Sequence, residues 1–318
     1  MTGQVMSNKA SIHNRLLAKL GFRHLQAVVL TAELGSTHRA AEMANISQPS
    51  IAKFLAMAES VVGEPLFERH SRGMRQTSTC KTLLPIFQAM LLLVQRGAKT
   101  LDAVQSGKAG TIHIEALPAA CNGSIVRGIA QYCRRFQQFQ LHLEENDQDH
   151  LHELLMSRVY DAVLTRTPTI GHSPLKFEPL EDDHSVVLAR KGHRLSHRRA
   201  LSLDVLGDEQ WLILPLQSTS RIIFESWFSS GVPYPVVSNV STSSLSAITG
   251  LVAYSDALIV LPASFAGPAL MSGSVCALDV QRQESLRPLG ILWNPAAVTT
   301  ATSTFCDWMT AGTWRDSP

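Results

Sequence analysis

The sequence lacks a secretory signal, and its two long uncharged stretches lack the apolarity of a membrane-spanning helix. The first twenty residues contain Lys9, Arg15 and Lys19 with no apolar core after them, so we expect no export signal. Residues 226–255 and 257–278 carry no charged side chain, but the first stretch is rich in serine and threonine and both contain prolines. A spanning helix needs about 20 mostly apolar residues. We therefore expect a cytoplasmic protein without membrane association.

Cysteine is scarce, and its spacing is not that of a disulfide framework. The five cysteines are odd in number, widely spaced and never arranged as CxxC: Cys80, Cys121, Cys133, Cys276 and Cys306. This pattern is typical of reduced thiols in a cytosolic protein. Cys121 follows a predicted strand, and a redox sensor is one alternative for it. The sequence places no cation near it that would lower its pKa, which favours an inert thiol.

The motifs of several enzyme classes are also missing. The chain contains no GxSxG, no P-loop and no GxGxxG sequence, so the nucleophile and phosphate-binding loops of those classes are absent. Two Ser-x-x-Lys matches, at 50–53 and 78–81, lack the partner elements of serine acyl-enzymes. The acidic and imidazole groups around His150 and His184 lack the i, i+4 spacing of helical metal ligands. We expect neither an enzyme nor a metal or cofactor site.

Acidic side chains are few at the head of the chain. The whole sequence has 28 Lys+Arg and 26 Asp+Glu, a formal net charge of +2. Residues 1–110 hold 13 basic and 6 acidic side chains, a difference of +7, whereas residues 111–318 hold 15 and 20, a difference of −5. A basic head on an acidic body favours a nucleic-acid partner. The length suggests two or three domains of about 100–200 residues each.

Helical spacing organises the head. Three helical segments are predicted, at 20–34, 37–44 and 48–62. Gly35 ends the first, while Ser36 and Ser47 are suited to cap the other two. Small residues on the second segment and apolar residues at fixed offsets on the third form a helix-turn-helix pattern. An ordinary helical hairpin with a solvated face is the alternative.

The polar start of the third helix and the loop after it are suited to DNA. Amide, hydroxyl and cationic groups there match base edges and phosphates in a major groove. Three arginines near Gly73 would form a basic hairpin, or wing, along the backbone and minor groove. The candidate DNA-binding residues are Ser36, Thr37, Ser47, Gln48, Pro49, Ser50, Ala52, Lys53, Arg69, Arg72 and Arg75.

Several specific runs occur together in this head. They are His24-Leu25-Gln26, Glu33-Leu34-Gly35-Ser36, Ala40-Ala41, Ile46-Ser47-Gln48-Pro49-Ser50-Ile51, Glu59, Gly63-Glu64-Pro65-Leu66-Phe67-Glu68-Arg69 and Thr77. On these runs, residues 16–84 resemble the winged helix-turn-helix of the LysR-type transcriptional regulators. The sequence departs from the family at Ala52, where a serine is usual on the recognition helix. The departure bears on which bases are read.

One long helix is predicted to follow the winged domain (16–78), as a linker over 79–106. Its middle is apolar on every side, so it must bury more than one face. Between a DNA-binding head and a separate body, this indicates a dimerising helix, and it matches the linker helix of the family. The candidate dimerisation residues are Leu83, Phe87, Met90, Leu91 and Val94. We expect a homo-oligomer, either a dimer or a dimer of dimers (homotetramer).

Strands and helices alternate in the body, which indicates an α/β fold with a largely parallel sheet. Their order resembles the effector domain of the family, which is built like a type II periplasmic binding protein. The predicted fold class is therefore α + α/β: a winged helix-turn-helix, a linker helix and a two-lobed effector-binding domain. The predicted boundaries are 1–15 for a flexible arm, 110–303 for the effector domain, 111–166 plus 268–303 for lobe one, 167–267 for lobe two, and 304–318 for a tail.

Ligands of such folds bind beyond the carboxyl ends of strands, often at helix N-termini. Four loops meet this description, although each also fits a plain turn with helix-cap residues. The candidate effector-binding residues in them are Pro118, Ala119, Ala120, Cys121, Asn122, Thr165, Arg166, Gln217, Ser218, Thr219 and Ser241. Hydroxyl groups with Arg166 at the edge would suit a small organic anion, and an aromatic compound is the other candidate.

These observations predict a cytoplasmic transcriptional regulator that binds promoter DNA and responds to a small-molecule effector. The resemblance implies RNA polymerase as a further partner. Two alternatives stay open: a DNA-binding protein that needs no ligand, and an α/β enzyme with an accessory helical domain.

Overall fold

The computed structural model describes residues 13–71, 73–146, 155–168, 174–216, 218–229 and 234–315. It consists of two compact units that divide between Asp102 and Ala103. Most of the predicted amino-terminal arm, residues 1–12, lies outside the described residues.

Three helices of the first unit form its helix-turn-helix core, α1 (Phe22–Leu34), α2 (Thr37–Met43) and α3 (Gln48–Val62). Gly35 adopts a left-handed backbone with φ 62° and ends α1. The Ser36 hydroxyl accepts a hydrogen bond from the Arg39 N–H at the start of α2. The Ser47 hydroxyl does the same for Ser50 at the start of α3. These caps satisfy N–H groups that have no partner within the helix, and they confirm the helix-turn-helix prediction.

Small side chains let these helices approach closely. Ala40 and Ala41 on α2 and Ala58 on α3 are buried, and Ile51 and Leu55 of α3 pack in the same core. Small side chains at these positions are compatible with the dense packing of a protein interior.

Two short antiparallel strands form the wing, β1 (Phe67–His70) and β2 (Gly73–Gln76). The Glu59 carboxylate on α3 accepts hydrogen bonds from the N–H groups of Leu66 (2.8 Å) and Phe67 (3.2 Å). The Gln76 side chain donates to the carbonyl of Ala32 on α1 at 3.1 Å. The base of the wing is thus fixed to the helices on both sides.

A helix of 28 residues follows, α4 (Ser78–Gln105). Its first turns belong to the first unit, because Cys80 and Phe87 are buried in the core of α1–α3. The helix also has exposed large apolar residues, most of them beyond Phe87: Ile86, Met90, Leu93, Val94, Leu101 and Val104. Of the described helices, it is the one long and apolar enough to cross a membrane by length and composition.

The burial of α4 corrects part of the predicted dimerisation set. Phe87 is only 3% exposed, so its side chain belongs to the core of its own chain. Leu83 and Leu91 also pack in part against this core. Met90 and Val94 are exposed and stay candidates for contact with a second copy.

The second unit contains nine strands and six α-helices in the described ranges. The strands are β3 (Gly110–Ala116), β4 (Phe139–Glu145), β5 (Ala162–Arg166), β6 (Lys176–Arg190), β7 (Gln210–Ile213), β8 (Val236–Ser241), β9 (Ile259–Pro262), β10 (Val275–Leu278) and β11 (Ser285–Trp293). The helices are α5 (Gly123–Arg135), α6 (Leu203–Gly207), α7 (Thr219–Phe228), α8 (Leu245–Ala253), α9 (Ala263–Met271) and α10 (Thr300–Ala311), with 3-10 turns at Pro118–Cys121 and Pro295–Ala297.

The strands form two lobes that share one strand. In lobe one, β3 lies between β4 and β5 and is parallel to both, and β11 pairs antiparallel with β5. The first part of β6 pairs with β11, and its last part pairs with β9 and β10 of lobe two. The α/β prediction is confirmed, but the expected largely parallel sheet is mixed, because β6 and β11 pair antiparallel with their neighbours. β6 and β11 are the strands at which the chain crosses between the lobes.

This pairing corrects the predicted lobe boundaries. Residues 176–184, expected in lobe two, pair with β11 in the sheet of lobe one. Residues 275–278, expected in lobe one, pair with β6 beside β9 in lobe two. The reason is that β6 is a single strand of 15 residues. The chain changes lobe in the middle of that strand, near Asp183, rather than in a loop.

The segment expected to be a tail is part of the core of lobe one. Helix α10 buries Phe305 and Met309, and Trp314 beyond it is fully buried. A Cβ added at Gly128 of α5 would lie 2.7 Å from the Trp314 ring. Glycine is therefore needed at that point on α5, and the core of lobe one continues beyond residue 303.

Candidate functional sites

The start of α3 presents a polar surface. Gln48, Ala52 and Lys53 are exposed there. The Gln48 side chain donates to the Thr37 hydroxyl of α2 at 3.4 Å, which links the two helices at their N-termini. The Ser50 hydroxyl lies 2.8 Å from that of Ser47. Gln48 and Lys53 therefore offer an amide and a cation to a binding partner.

Four other candidate DNA-binding residues lie at the starts of α2 and α3. Ser36 and Ser47 use their hydroxyl oxygens as helix caps, while Thr37 accepts from Gln48 and Pro49 is exposed in the first turn of α3. Serine caps are a structural role that sequence patterns do not separate from DNA contact, since both place a hydroxyl at a helix start.

The wing carries its described arginines on opposite faces. Arg69 pairs in register with Met74, and Arg75 pairs with Glu68. Side chains alternate along a strand, so Arg69 shares a face with Phe67, and Arg75 shares the other face with Glu68. Both arginines are exposed. Arg72 lies outside the described residues.

In the second unit, the carboxyl ends of lobe-one strands meet at one edge. Because β3 is parallel to β4 and β5, all three strands have their carboxyl ends at the same edge of the sheet. Beyond β5, the N–H of Thr167 donates to the carbonyl of Pro288 on β11 at 3.0 Å. This edge therefore lies at the crossing strands.

The edge of lobe two at the carboxyl ends of its strands also lies at the crossing strands. β7 is parallel to β8, and a parallel bridge joins Trp211 of β7 to Leu258 at the start of β9. The end of β9 reaches β6 at the Ser185–Pro262 pair, two residues beyond Asp183. The loops after β3, β5, β7 and β8 thus flank the place where the lobes join, as expected for a ligand cleft.

The loop after β3 forms the turn Pro118–Cys121. Ala120 is fully buried in the core of lobe one, so its candidate role as a ligand contact is wrong. Asn122 donates its side-chain amide to the Pro118 carbonyl at 2.9 Å. Burial, with the nearby Glu145 carboxylate, raises the pKa of the Cys121 thiol to about 11. The thiol is therefore protonated at neutral pH, as an inert cysteine would be.

Arg166 does not point a free guanidinium at the cleft. Its Nη2 lies 2.6 Å from Asp183 Oδ2, and its Nη1 donates to the Arg287 carbonyl at 2.8 Å. Thr165 beside it is buried. The predicted role of Arg166 as the anion-binding residue is corrected: it joins the end of β5 to both crossing strands.

On lobe two, Ser218 caps α7. Its hydroxyl accepts from the Arg221 N–H at 3.2 Å and donates to the Pro215 carbonyl at 2.8 Å. Thr219 is half-buried behind it, and Ser241 is exposed at the end of β8. Gln217 lies outside the described residues.

Two acidic residues of β6 belong to this region and were not among the candidates. Glu181 accepts a hydrogen bond from the Ser124 hydroxyl at the start of α5. Asp183 accepts from the hydroxyl (2.6 Å) and the N–H (3.1 Å) of Ser264 at the start of α9. Burial favours a raised pKa for Asp183, but the hydrogen bonds from Ser264 and Arg166 outweigh it and hold the pKa below its ordinary value. Their sequence signal is the acidic run 181–183 beside His184.

Among the described residues, no group of three or more His, Cys, Asp or Glu side chains is placed to hold a metal ion. All five cysteines are free thiols. His150, considered above as a metal ligand, lies outside the described residues.

Two family models match the chain. Residues 22–81 match the "bacterial regulatory helix-turn-helix protein, lysR family", and residues 105–314 match the "LysR substrate binding domain". The two matches cover both units of the structure.

Similar proteins carry regulator names. The transcriptional regulator GbpR of Azospirillum brasilense is 28% identical over 281 residues, covering 87% of this chain and 82% of GbpR. The regulator GalR of Pseudomonas putida is 29% identical over 286 residues, covering 87% of this chain and 71% of GalR. The solved structure of CbnR, described as a LysR family transcriptional regulator, has a TM-score of 0.68 at 16% identity and covers 92% of this chain and 99% of CbnR.

Proposed function

Because the chain belongs to the LysR family of bacterial regulatory helix-turn-helix proteins, we propose that the described surfaces divide its task between them. The first unit binds DNA, and the second binds the small-molecule effector that modulates the activity.

The start of α3 enters the major groove, with Gln48 and Lys53 as its reading residues. The observation that carries this is their exposure at the N-terminus of α3, which Ser47 caps. Gln forms bidentate hydrogen bonds with adenine, and Lys binds guanine or phosphate. The wing lies along the backbone, where Arg75 and Arg69 contact phosphates. Full-length CbnR, a similar fold with a TM-score of 0.67, has been solved with its target DNA.

Electrophoretic mobility shifts on the promoter of the protein's own gene test the DNA contacts. Gln48→Ala should lower affinity for the specific site more than for unrelated DNA, because it removes a base contact. Lys53→Ala should lower affinity and reduce the salt slope. Lys191→Ala, an exposed lysine of the second unit, is the matched loss of one charge. Wild-type affinity in both α3 variants would exclude α3 as the recognition helix.

The exposed apolar residues of α4 are covered by the same helix of a second copy. A dimer presents two α3 helices to two half-sites about one helical turn apart. Dimers then pair to a homotetramer. The charged side chains on α4, Lys81, Arg96, Lys99 and Asp102, favour this over a membrane span. The protein resides in the cytoplasm, and it also contacts RNA polymerase.

The effector binds between the lobes, at the carboxyl ends of the strands. Pro118, Ala119 and Asn122 lie on one side, and Ser218, Thr219 and Ser241 lie on the other. Ala119 packs against the cores of both lobes, so it marks where they meet. A ligand that prefers one arrangement of the lobes shifts their equilibrium, and through it DNA binding.

Thermal shift separates this from a regulator that needs no ligand. A compound that binds the cleft raises the melting temperature of the full chain and changes its mobility shift with DNA. A screen in which no compound does either would favour the ligand-independent alternative.

A further inference from the structure

Two carboxylates of the crossing strand β6 occupy the starts of two helices, one in each lobe. Glu181 meets α5 of lobe one through the Ser124 hydroxyl, and a Cβ at Gly123 would lie 4.0 Å from Glu181 Oε1. Asp183 meets α9 of lobe two through the hydroxyl and N–H of Ser264. Residues two apart on a strand lie on one face. The same face of β6 thus serves both helices.

A helix N-terminus attracts anions because its free N–H groups carry partial positive charge. At α5 and α9 this position is already taken by the protein's own carboxylates. An anionic ligand there would have to displace Glu181 or Asp183, or sit beside a charge of the same sign.

The arginines at this edge do not make it favourable for an anionic ligand. Arg166 pairs with Asp183, and the Arg287 guanidinium donates to the Thr167 carbonyl at 3.1 Å. The stretches of the second unit outside the described ranges contain no Lys or Arg in the sequence: 147–154, 169–173, 217, 230–233 and 316–318.

The carboxylates are also balanced within the protein, which argues against a cationic ligand. Asp183 has an arginine partner, and Glu181 has a hydroxyl donor and a helix N-terminus. Among the candidate effector-binding residues, the polar groups beyond these pairs are uncharged: the Asn122 amide and the hydroxyls of Ser218, Thr219 and Ser241. Groups of this kind pair with hydroxyl groups of a ligand.

We propose that the effector of this cleft is an uncharged molecule with several hydroxyl groups, and that Glu181 is the residue that excludes anions. The proposal rests on the effector cleft proposed above. It replaces the organic anion that the sequence suggested, because that expectation depended on a free Arg166.

The anion-excluding role is tested without knowing the effector, with selenate as the probe. Crystals of the full chain soaked in selenate should show no anomalous site at the start of α5. Glu181→Gln keeps an acceptor for Ser124 but removes the charge, so selenate should bind there. Asp182→Asn removes the same charge from the exposed neighbour on the other face of β6, and it should behave as wild type. Selenate at α5 in the wild type, or its absence in Glu181→Gln, overturns the role.

The ligand class is tested by thermal shift of the full chain with matched compounds, glucose, glucitol and inositol against glucuronate and gluconate. The proposal is supported if an uncharged compound raises the melting temperature and its carboxylate counterpart does not. In Glu181→Gln, the ratio of the Kd for a carboxylate compound to the Kd for its uncharged counterpart should then fall at least tenfold. A rise with carboxylates only, or with neither set, overturns the hydroxyl-bearing class. Bound compounds that leave the DNA mobility shift unchanged would instead contradict effector control, and the selenate result would stand.

Discussion

Gly73 of the wing lies against Gly35 at the end of α1, so closely that a Cβ on Gly73 would be 2.4 Å from the Gly35 carbonyl oxygen. The same carbonyl accepts a hydrogen bond from the Met74 N–H at 2.8 Å. Gly73 also has φ 130°, a conformation that disfavours other residues. The contact holds the wing at a fixed place beside the helix-turn-helix.

Gly73→Ala should therefore displace the wing. We expect a loss of about 1–3 kcal/mol in the free energy of unfolding and weaker binding to DNA of any sequence, because wing contacts are to the backbone. Urea denaturation and mobility shifts measure the two effects. Gly97→Ala, on α4 with no atom near its Cβ, should be neutral or stabilising by up to ~1 kcal/mol. Equal behaviour of the two variants would contradict the prediction.

The ion pair of Arg166 and Asp183 should stabilise the junction of the lobes. Asp183 is 1% exposed, so Arg166→Met leaves a buried charge without its partner. We expect a loss of about 3–5 kcal/mol in unfolding free energy. Arg190→Met breaks an exposed pair with Asp256 and should cost about 0–1 kcal/mol. A similar cost for both arginines would show that the junction does not depend on this pair.

Acid should weaken the same junction. The pKa of Asp183 is held below its ordinary value of 3.8, so its contribution to stability is present above that value. It is lost as the pH falls through the lower, folded-state pKa. In Asp183→Asn this part of the acid dependence should disappear. Unfolding midpoints between pH 5 and pH 2.5 measure it, and an unchanged profile in the variant would refute the assignment.

Glu115 should destabilise the second unit at alkaline pH. It is fully buried on β3, in register with Glu144 of β4, and burial raises the pKa of Glu115 to about 7. Because the folded-state pKa is raised, the stabilising contribution is complete below the unfolded value near 4.5 and is lost as the pH rises through 7. Glu115→Gln should thus match the wild type at pH 4.5 and exceed it by about 3 kcal/mol at pH 8.5. Thermal melts at the two pH values decide this, and Asp182→Asn should show no such difference.

The exposed stripe of α4 should govern assembly. Val94 is 45% exposed, and Val94→Lys would place a charge in an apolar interface, so the oligomer should dissociate. The adjacent Gln95 is also exposed, and Gln95→Lys adds the same charge next to the stripe. Sedimentation velocity should show smaller species for Val94→Lys alone. If both variants keep the wild-type assembly, α4 is not the dimer contact.

Sequence patterns predicted the local features of the fold well. The caps at Ser36 and Ser47 and the glycine that ends α1 depend on neighbours within a few residues, which a sequence shows directly. The C-terminal helix α10 was missed because its first turns are threonine- and serine-rich and its apolar residues, Phe305 and Met309, are few.

Partners distant in the sequence account for the errors at the site. The sequence predicts a ligand-binding cation at Arg166, because its partner Asp183 is 17 residues away and nothing in the sequence pairs them. It predicts a lining residue at Ala120, because the burial of Ala120 depends on the packing of lobe one. The two lobe boundaries were misplaced because strand pairing, unlike strand position, is not visible in a single sequence.

The 15 residues of β6 have a consequence for the way the effector domain unfolds. Because β6 belongs to the sheets of both lobes, unfolding of either lobe also removes a strand from the sheet of the other. The two lobes therefore form one cooperative folding unit. Calorimetry of this domain's transition should give a van't Hoff enthalpy equal to the measured one, as for a single body.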